Sequence, residues 1–326
     1  MKASQKILIT GGVGFIGYHL TKKLIKDGFK IDIIDNLSRG KHDKYFKFLL
    51  RDNNVNFYNH DLSKIPEIKY NRYLFIFHLA AIVGVKNVIE KPYDVLEKNI
   101  RLLTNSISLA KKQKKLKRFF FFSTSEIYAG SLNNKIIKFP TNENNILSLN
   151  NLNNKRSTYM LSKIYGEALC HFSNLPYTIF RPHNIFGERM GMSHVIPELT
   201  KKSLRKKDTS LEVHNSNDSR CFCFIDDALQ IIIKSMYSKK TLGKTYNLGD
   251  SRKEIKIYDL AKKILKILNI NKKIKNKIID NSSPKRRVPS MNKLFNDINF
   301  KLKSSFEQNL KSTVLWYKDY LIKNEK

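Results

Sequence analysis

The stretch Thr10-Gly11-Gly12-Val13-Gly14-Phe15-Ile16-Gly17 restricts what this chain can fold into more than any other part of it. It follows a short apolar run, Lys6 to Thr10, and leads directly into a helix-period segment, Phe15 to Asp27, so Gly11, Gly14 and Gly17 fall in a strand-to-helix turn. Glycines at such a turn remove the side chains that would keep an anion from the backbone amides, and the helix dipole favours a phosphate there. Asp35 closes the next apolar run, Lys30 to Asp35, eighteen residues after Gly17. That is close to the spacing of roughly 20 at which a carboxylate meets the ribose diol of an adenosine. The combination predicts a dinucleotide site, with Phe15 and Ile16 at the helix start and Asn36 beside the acid. A carboxylate repels a 2′-phosphate, which favours NAD over NADP, although Arg39 is near enough to blur that choice.

Beyond this turn, short apolar runs alternate with helix-period segments, the pattern of a parallel sheet covered on both faces. The strands are expected at Lys6 to Thr10, Lys30 to Asp35, Val55 to Tyr58, Leu74 to Ala80, Arg118 to Ser123 and Tyr177 to Arg181. Helices are expected at Phe15 to Asp27, Val95 to Lys112 and Tyr159 to Phe172. The fold class is therefore α/β, a Rossmann-type doubly wound parallel sheet. After Arg181 the regularity weakens: Val195 to Lys206, Asp226 to Ser238 and Tyr258 to Leu268 read as helices, and Arg220 to Ile225 as a strand. With 326 residues, more than the usual domain size of about 100–150, the chain is expected to carry a smaller interleaved C-terminal substrate lobe. The core would take residues 1–182 and about 226–240, and the lobe 183–225 and 241–326. The Asn-rich stretch Ser131 to Ser157 has no periodicity and reads as a loop.

Tyr159 and Lys163 stand four apart in a predicted helix, so both project from one face. A phenol of pKa about 10 is a poor base near neutrality, but an adjacent ammonium and a cationic nicotinamide ring stabilise the phenolate. Tyr159 is thus the candidate proton-transfer residue. Such a pair arises by chance on many helices, and its weight here comes from the preceding strand end, Phe121-Phe122-Ser123-Thr124-Ser125-Glu126-Ile127-Tyr128, which brings a hydroxyl and a carboxylate.

The GxxGxxG spacing together with Asp35-Asn36-Leu37-Ser38-Arg39-Gly40 resembles the nucleotide-sugar epimerase and dehydratase family of extended short-chain dehydrogenases. The resemblance extends to His60-Asp61-Leu62, similar to the family's adenine-contacting segment, His78-Leu79-Ala80-Ala81, similar to its cofactor-flanking strand end, and Asn99, behind the active site. The Thr124-Ser125-Glu126 segment resembles that of UDP-glucuronate decarboxylases and sugar 4,6-dehydratases. The resemblance implies that Thr124 completes a triad with Tyr159 and Lys163, that Lys163 also bonds the nicotinamide ribose, and that Ser125 lies at the substrate. Arg181-Pro182-His183-Asn184-Ile185-Phe186-Gly187-Glu188-Arg189-Met190, Arg220 in its strand, and Pro284-Lys285-Arg286-Arg287-Val288-Pro289 are similar to segments that put Asn184, Arg220 and Arg287 by the substrate diphosphate. A guanidinium suits that contact. His183 departs from the family pattern and reads as structural.

The implied chemistry is oxidation of a nucleotide sugar at carbon 4, with Tyr159 taking the proton. Glu126 leans the reading towards carbon 5 chemistry, that is, a 4,6-dehydratase or decarboxylase. The alternative is a 4-epimerase using the same triad. The dTDP-glucose dehydratases carry an Asp where this chain has Ser125. The resemblance also implies a homodimer through a four-helix bundle built from Val95 to Lys112 and Tyr159 to Phe172.

A formal charge of +33 raises a different class, an NAD-binding scaffold that holds nucleic acid. Only 13 of the 61 basic residues are arginine, and the lysines are spread through every segment rather than clustered with stacking aromatics, so nucleic acid is not expected as a partner. Cys170, Cys221 and Cys223 lack zinc-site spacing and read as buried free thiols, with no metal expected. No run approaches the roughly 18 apolar residues of a membrane span, and glycines interrupt the apolar start. A cytoplasmic protein without a leader is the expectation.

Overall fold

A computed structural model describes residues 5–40, 42–65, 73–149, 151–279 and 284–324. Six strands, β1 (Lys6–Thr10), β2 (Lys30–Asp35), β3 (Val55–Asn59), β4 (Tyr73–His78), β5 (Arg118–Phe122) and β6 (Tyr177–Pro182), lie within two residues of their predicted limits. They join a seventh, Lys244–Leu248, in a sheet ordered Lys244–Leu248, β6, β5, β4, β1, β2, β3, with every pairing parallel. The chain order reverses between β1 and β4. A crevice therefore opens above their C-terminal ends, where ligands bind in sheets of this kind.

Strand alternation assigns the two faces. Phe120 and Phe122 join Ile7, Ile9 and Phe77 in the core beneath the helices Phe15–Lys26 and Ile225–Tyr237. Phe119 and Phe121 turn the other way, onto the helices Pro92–Lys111 and Ser157–His171. Because both faces are covered, strands such as β5 are apolar throughout.

A second cluster, including Ile196, Leu199, Leu260, Ile264, Leu310 and Val314, packs the helices Val195–Leu204, Ile257–Leu268 and Phe306–Asn324 together. Two small sheets flank it, one pairing Ser210–His214 with Lys273–Lys277 and the other joining Glu254–Lys256, Ser219–Cys221 and Arg286–Arg287.

Three elements differ from expectation, one being the helix Asn292–Ile298, expected in the lobe, which packs Leu294 and Ile298 into the core of the main sheet. Lys244–Leu248, assigned to the lobe from sequence, forms the edge of the main sheet against β6; it has no continuous apolar run to mark it. The predicted strand Arg220 to Ile225 is divided at Phe222: Ser219–Cys221 pairs in the lobe, Cys223–Phe224 pairs with Ile185–Phe186, and Ile225 starts a helix. The Asn-rich stretch begins with the end of a short helix, Ala129–Asn133, and Asn150 within it lies outside the described residues. All three cysteines are buried and unpaired. Among the described residues no helix is long and apolar enough to cross a membrane.

Candidate active site

The glycine turn is packed more tightly than any side chain would permit. Gly11 has φ +71°, and a Cβ there would lie 2.6 Å from the Ala80 nitrogen. On Gly17 a Cβ would lie 2.5 Å from the Gly11 oxygen and 2.6 Å from the Gly12 Cα. Gly14 begins the Phe15–Lys26 helix without a side-chain cap, so the first-turn amides have no side-chain acceptor and their dipole points into the crevice. Asp35 accepts the Val13 N–H at 3.0 Å and the Leu37 N–H at 2.9 Å. Burial raises its pKa above the usual range, partly opposed by these two bonds and by Arg189.

The far edge of the crevice is held by side chains that the sequence brought forward. Asn36 accepts the Ser38 N–H at 3.1 Å and bonds Asp61, whose own carboxylate caps Ser63 at 2.9 Å. Leu62 is buried beneath them and its carbonyl accepts from Asn105 at 2.7 Å. Leu79 donates to the Thr10 carbonyl at 3.0 Å, which sets Ala80 and Ala81 beside the glycine turn. Asn99 bonds the Ile82 backbone at both N–H and carbonyl, 2.7 and 3.0 Å, and reaches Ser162 of the next helix at 3.4 Å. A glycine cradle, an uncapped helix end and a strand-end carboxylate fit a dinucleotide. Arg39 lies 3.3 Å from His194 Nε2 and its charge acts on Tyr159.

The catalytic candidates converge at the end of β5. Thr124 caps the turn Ser125–Tyr128 by accepting the Glu126 N–H at 3.2 Å, and Ser125 is buried within that turn. Tyr159 and Lys163 come from the Ser157–His171 helix, which approaches the sheet closely because Gly166 has no side chain; a Cβ there would sit 2.6 Å from the Phe121 ring. Lys163 donates to the Phe122 carbonyl at 2.9 Å and lies 5.9 Å from the Tyr159 ring centre. Burial lowers its pKa to about 8. Burial also dominates at Tyr159: the phenol is pushed up to about 12, opposed by a hydrogen bond from Thr124 and the charge of Arg39, and reinforced by Glu126.

Glu126 behaves in the opposite way. Burial alone would raise its carboxyl, but Arg287, bonded at 2.6 Å, Arg156 at 3.7 Å and the field of Arg220 together hold it below the usual range. Arg287 and Arg220 stand opposite each other on adjacent parallel strands of the lobe. Burial and the charge of Arg287 bring Arg220 down to about 10, while Asp218 at 3.1 Å and the Ser219 and Lys285 carbonyls anchor it. Asn184, at φ +38°, donates to the Cys221 carbonyl at 3.0 Å. His183 is buried and neutral, pushed down to about 4 by burial, and pairs with Asn247 at 3.0 Å.

Two arginines were given no role from sequence. Arg189 bonds Asp43 at 2.9 Å and the Val13 carbonyl at 3.1 Å, fastening the lobe to the glycine turn. Its place in Gly187-Glu188-Arg189-Met190 could have marked it. Arg156 carries no motif, and only its position three residues before Tyr159 gave a signal.

Comparison with known proteins agrees with this geometry. A family model described as the NAD dependent epimerase/dehydratase family matches residues 7–249. UDP-N-acetyl-alpha-D-glucosaminuronate decarboxylase of Bacillus cytotoxicus is 31% identical over 327 residues, covering 97% of this chain and 98% of its own. dTDP-D-glucose 4,6-dehydratase of Dictyostelium discoideum is 33% identical over 282 residues, 81% of this chain and 62% of its own. Among solved structures, UDP-glucose 4-epimerase of Thermotoga maritima with UDP-glucose superposes with a TM-score of 0.85 at 25% identity, covering 97% of this chain and 100% of its own.

Proposed function

The chain belongs to the NAD dependent epimerase/dehydratase family, and from that premise we propose that it is a nucleotide-sugar decarboxylase acting on a uronate through a 4-keto intermediate. The observation that carries this reading is the Arg287 guanidinium bonded to Glu126 at 2.6 Å, which helps to hold that carboxyl below the usual range. A 4,6-dehydratase needs a base for the carbon 5 proton and an acid for the departing hydroxyl. A carboxylate whose pKa is held down is a weak base, and Ser125 stands where a dehydratase of this kind carries its acid. A 4-keto uronate is a β-keto acid and loses carbon dioxide with no proton abstraction at carbon 5.

Tyr159 receives the 4-hydroxyl proton, with Thr124 holding that hydroxyl and Lys163 stabilising the phenolate and the ribose. NAD, when bound, supplies the hydride acceptor for carbon 4 and a cationic ring beside the phenol. Asn184, Arg220 and Arg287 bind the diphosphate and keep the sugar against the triad. After carbon dioxide leaves, carbon 5 takes a proton and carbon 4 is reduced again.

A 4-epimerase is the second reading, because a Glu126 locked to Arg287 leaves the triad as the working acid–base set, and an epimerase needs no more. We also infer a homodimer, formed where Ile107, Tyr165, Leu169 and Phe172 line an open groove between the helices Pro92–Lys111 and Ser157–His171. Tyr165 is 49% and Phe172 85% exposed, and converting both to Glu would give a monomer by sedimentation.

The deciding experiment incubates the protein and NAD in heavy water with UDP-, dTDP-, GDP- and CDP-linked uronates and hexoses. Carbon dioxide release with a deuteron at carbon 5 of a pentose product is expected. Inversion at carbon 4 without deuterium makes the protein an epimerase, and loss of water makes it a dehydratase.

A further inference from the structure

Two guanidiniums, Arg287 and Arg156, lie against Glu126 and the charge of a third, Arg220, acts on it, and they come from two sides of the crevice. Arg220 and Arg287 rise from neighbouring lobe strands, opposite each other in register. Arg156 belongs to the core side: it is the residue immediately before the Ser157–His171 helix and three residues before Tyr159, and its guanidinium lies 3.7 Å from the second oxygen of Glu126. Its side chain is 21% exposed, buried enough for its charge to count and open enough for a ligand to reach. The lobe pair suits a diphosphate, whose two anionic groups match two adjacent cations. Arg156 is on the other side, next to the groups that must bracket carbon 4, namely Thr124 and Tyr159. Carbon 5 adjoins carbon 4, so a carboxylate carried on it comes within reach of a cation placed beside the triad.

We propose that Arg156 is the specificity-determining residue that reads the carboxylate on carbon 5 of the substrate, an inference that rests on the uronate reading above. A bidentate guanidinium–carboxylate contact rewards a uronate. A neutral hexose offers Arg156 only a hydroxymethyl group, and discrimination follows from the contact that it fails to make. Arg156 would then shift from Glu126 to the incoming carboxylate, while Arg287 keeps Glu126 neutralised at 2.6 Å.

The test measures dissociation constants of the NAD-loaded protein for UDP-glucuronate, UDP-glucose and UDP, in wild type, Arg156→Met and Arg156→Lys. The wild type is expected to prefer the uronate by about 10-fold to 100-fold. Arg156→Met is expected to abolish that preference and leave UDP affinity unchanged, with Arg156→Lys keeping part of it. Equal weakening towards all three ligands would make Arg156 a diphosphate residue and overturn the proposal, as would an undiminished uronate preference in Arg156→Met. A wild type without preference also overturns it, and carbon dioxide release, measured in parallel, then tells whether the decarboxylase reading falls with it.

Discussion

The Arg287 guanidinium donates a 2.6 Å hydrogen bond to the Glu126 carboxylate, joining the lobe to the end of β5 across the crevice. That bond keeps Glu126 ionised although burial opposes it. In Arg287→Met the field of Arg156 and Arg220 remains but the direct bond is gone, so the carboxyl pKa rises. Activity at pH 7 should fall about a hundredfold, the scale of losing one preorganised electrostatic partner, since Arg287 also binds the diphosphate. Activity within about threefold of wild type would mean that Arg287 takes no part in turnover.

Thr124 acts on Tyr159 by donating the hydrogen bond that opposes burial. Thr124→Ala removes that opposition and raises the phenol further, so kcat should drop by roughly 10-fold to 100-fold at pH 7 and continue rising into the alkaline range. Thr124→Ser keeps the donor and should remain near wild type. Tyr159→Phe removes the proton carrier itself, and a loss of about 10²–10⁴ is expected. NAD affinity, read by fluorescence titration, should be unchanged in Thr124→Ala; a parallel loss would assign Thr124 to the cofactor.

Gly17→Ala tests the cofactor cradle. The added methyl meets backbone atoms, the Gly11 oxygen at 2.5 Å and the Gly12 Cα at 2.6 Å, which cannot move aside as a flexible side chain would. The helix start must shift away from the turn. NAD binding should weaken at least about a hundredfold, the range of losses that a displacement of about 1 Å produces. Retained NAD affinity measured by calorimetry would show that the dinucleotide is held elsewhere.

The parallel strands were legible because burial on both faces makes them apolar runs: β5, Arg118–Phe122, is buried at all five positions. The edge strand Lys244–Leu248 was not, since its Lys, Thr, Tyr, Asn, Leu order carries no such run and its partner β6 was distant in sequence. The Tyr159 and Lys163 pair was visible from helical spacing. The arginines around Glu126 were less so, because Arg156, Arg220 and Arg287 are brought together by the closing of the lobe on the core rather than by any periodicity. The electrostatic state of the site was the least visible. Adjacency suggested that Lys163 would lower the Tyr159 pKa, whereas burial raises the phenol to about 12 and lowers Lys163 to about 8, and burial is a tertiary property.

That lowered lysine carries a cost in stability. Lys163 is 5% exposed and bonds the Phe122 carbonyl at 2.9 Å, but its folded pKa of about 8 lies below the 10.5 of a free lysine side chain. Below pH 8 the ammonium is charged in both states, and the folded protein bears the full desolvation penalty, about 3 kcal/mol for a shift of this size. Between roughly pH 8 and 10.5 the folded lysine loses its proton while the unfolded one keeps it, so the penalty disappears and stability rises with pH. Lys163→Met fills similar space without charge and gives up one hydrogen bond worth about 1 kcal/mol. The variant should therefore be more stable than wild type by about 1–2 kcal/mol at pH 7, with the advantage shrinking towards pH 10, while turnover is lost. Denaturant unfolding of both proteins at pH 7 and pH 10 checks it. A wild type that is the more stable at pH 7, or a gap that does not change with pH, would mean that Lys163 is retained for packing rather than for the phenolate and ribose it serves.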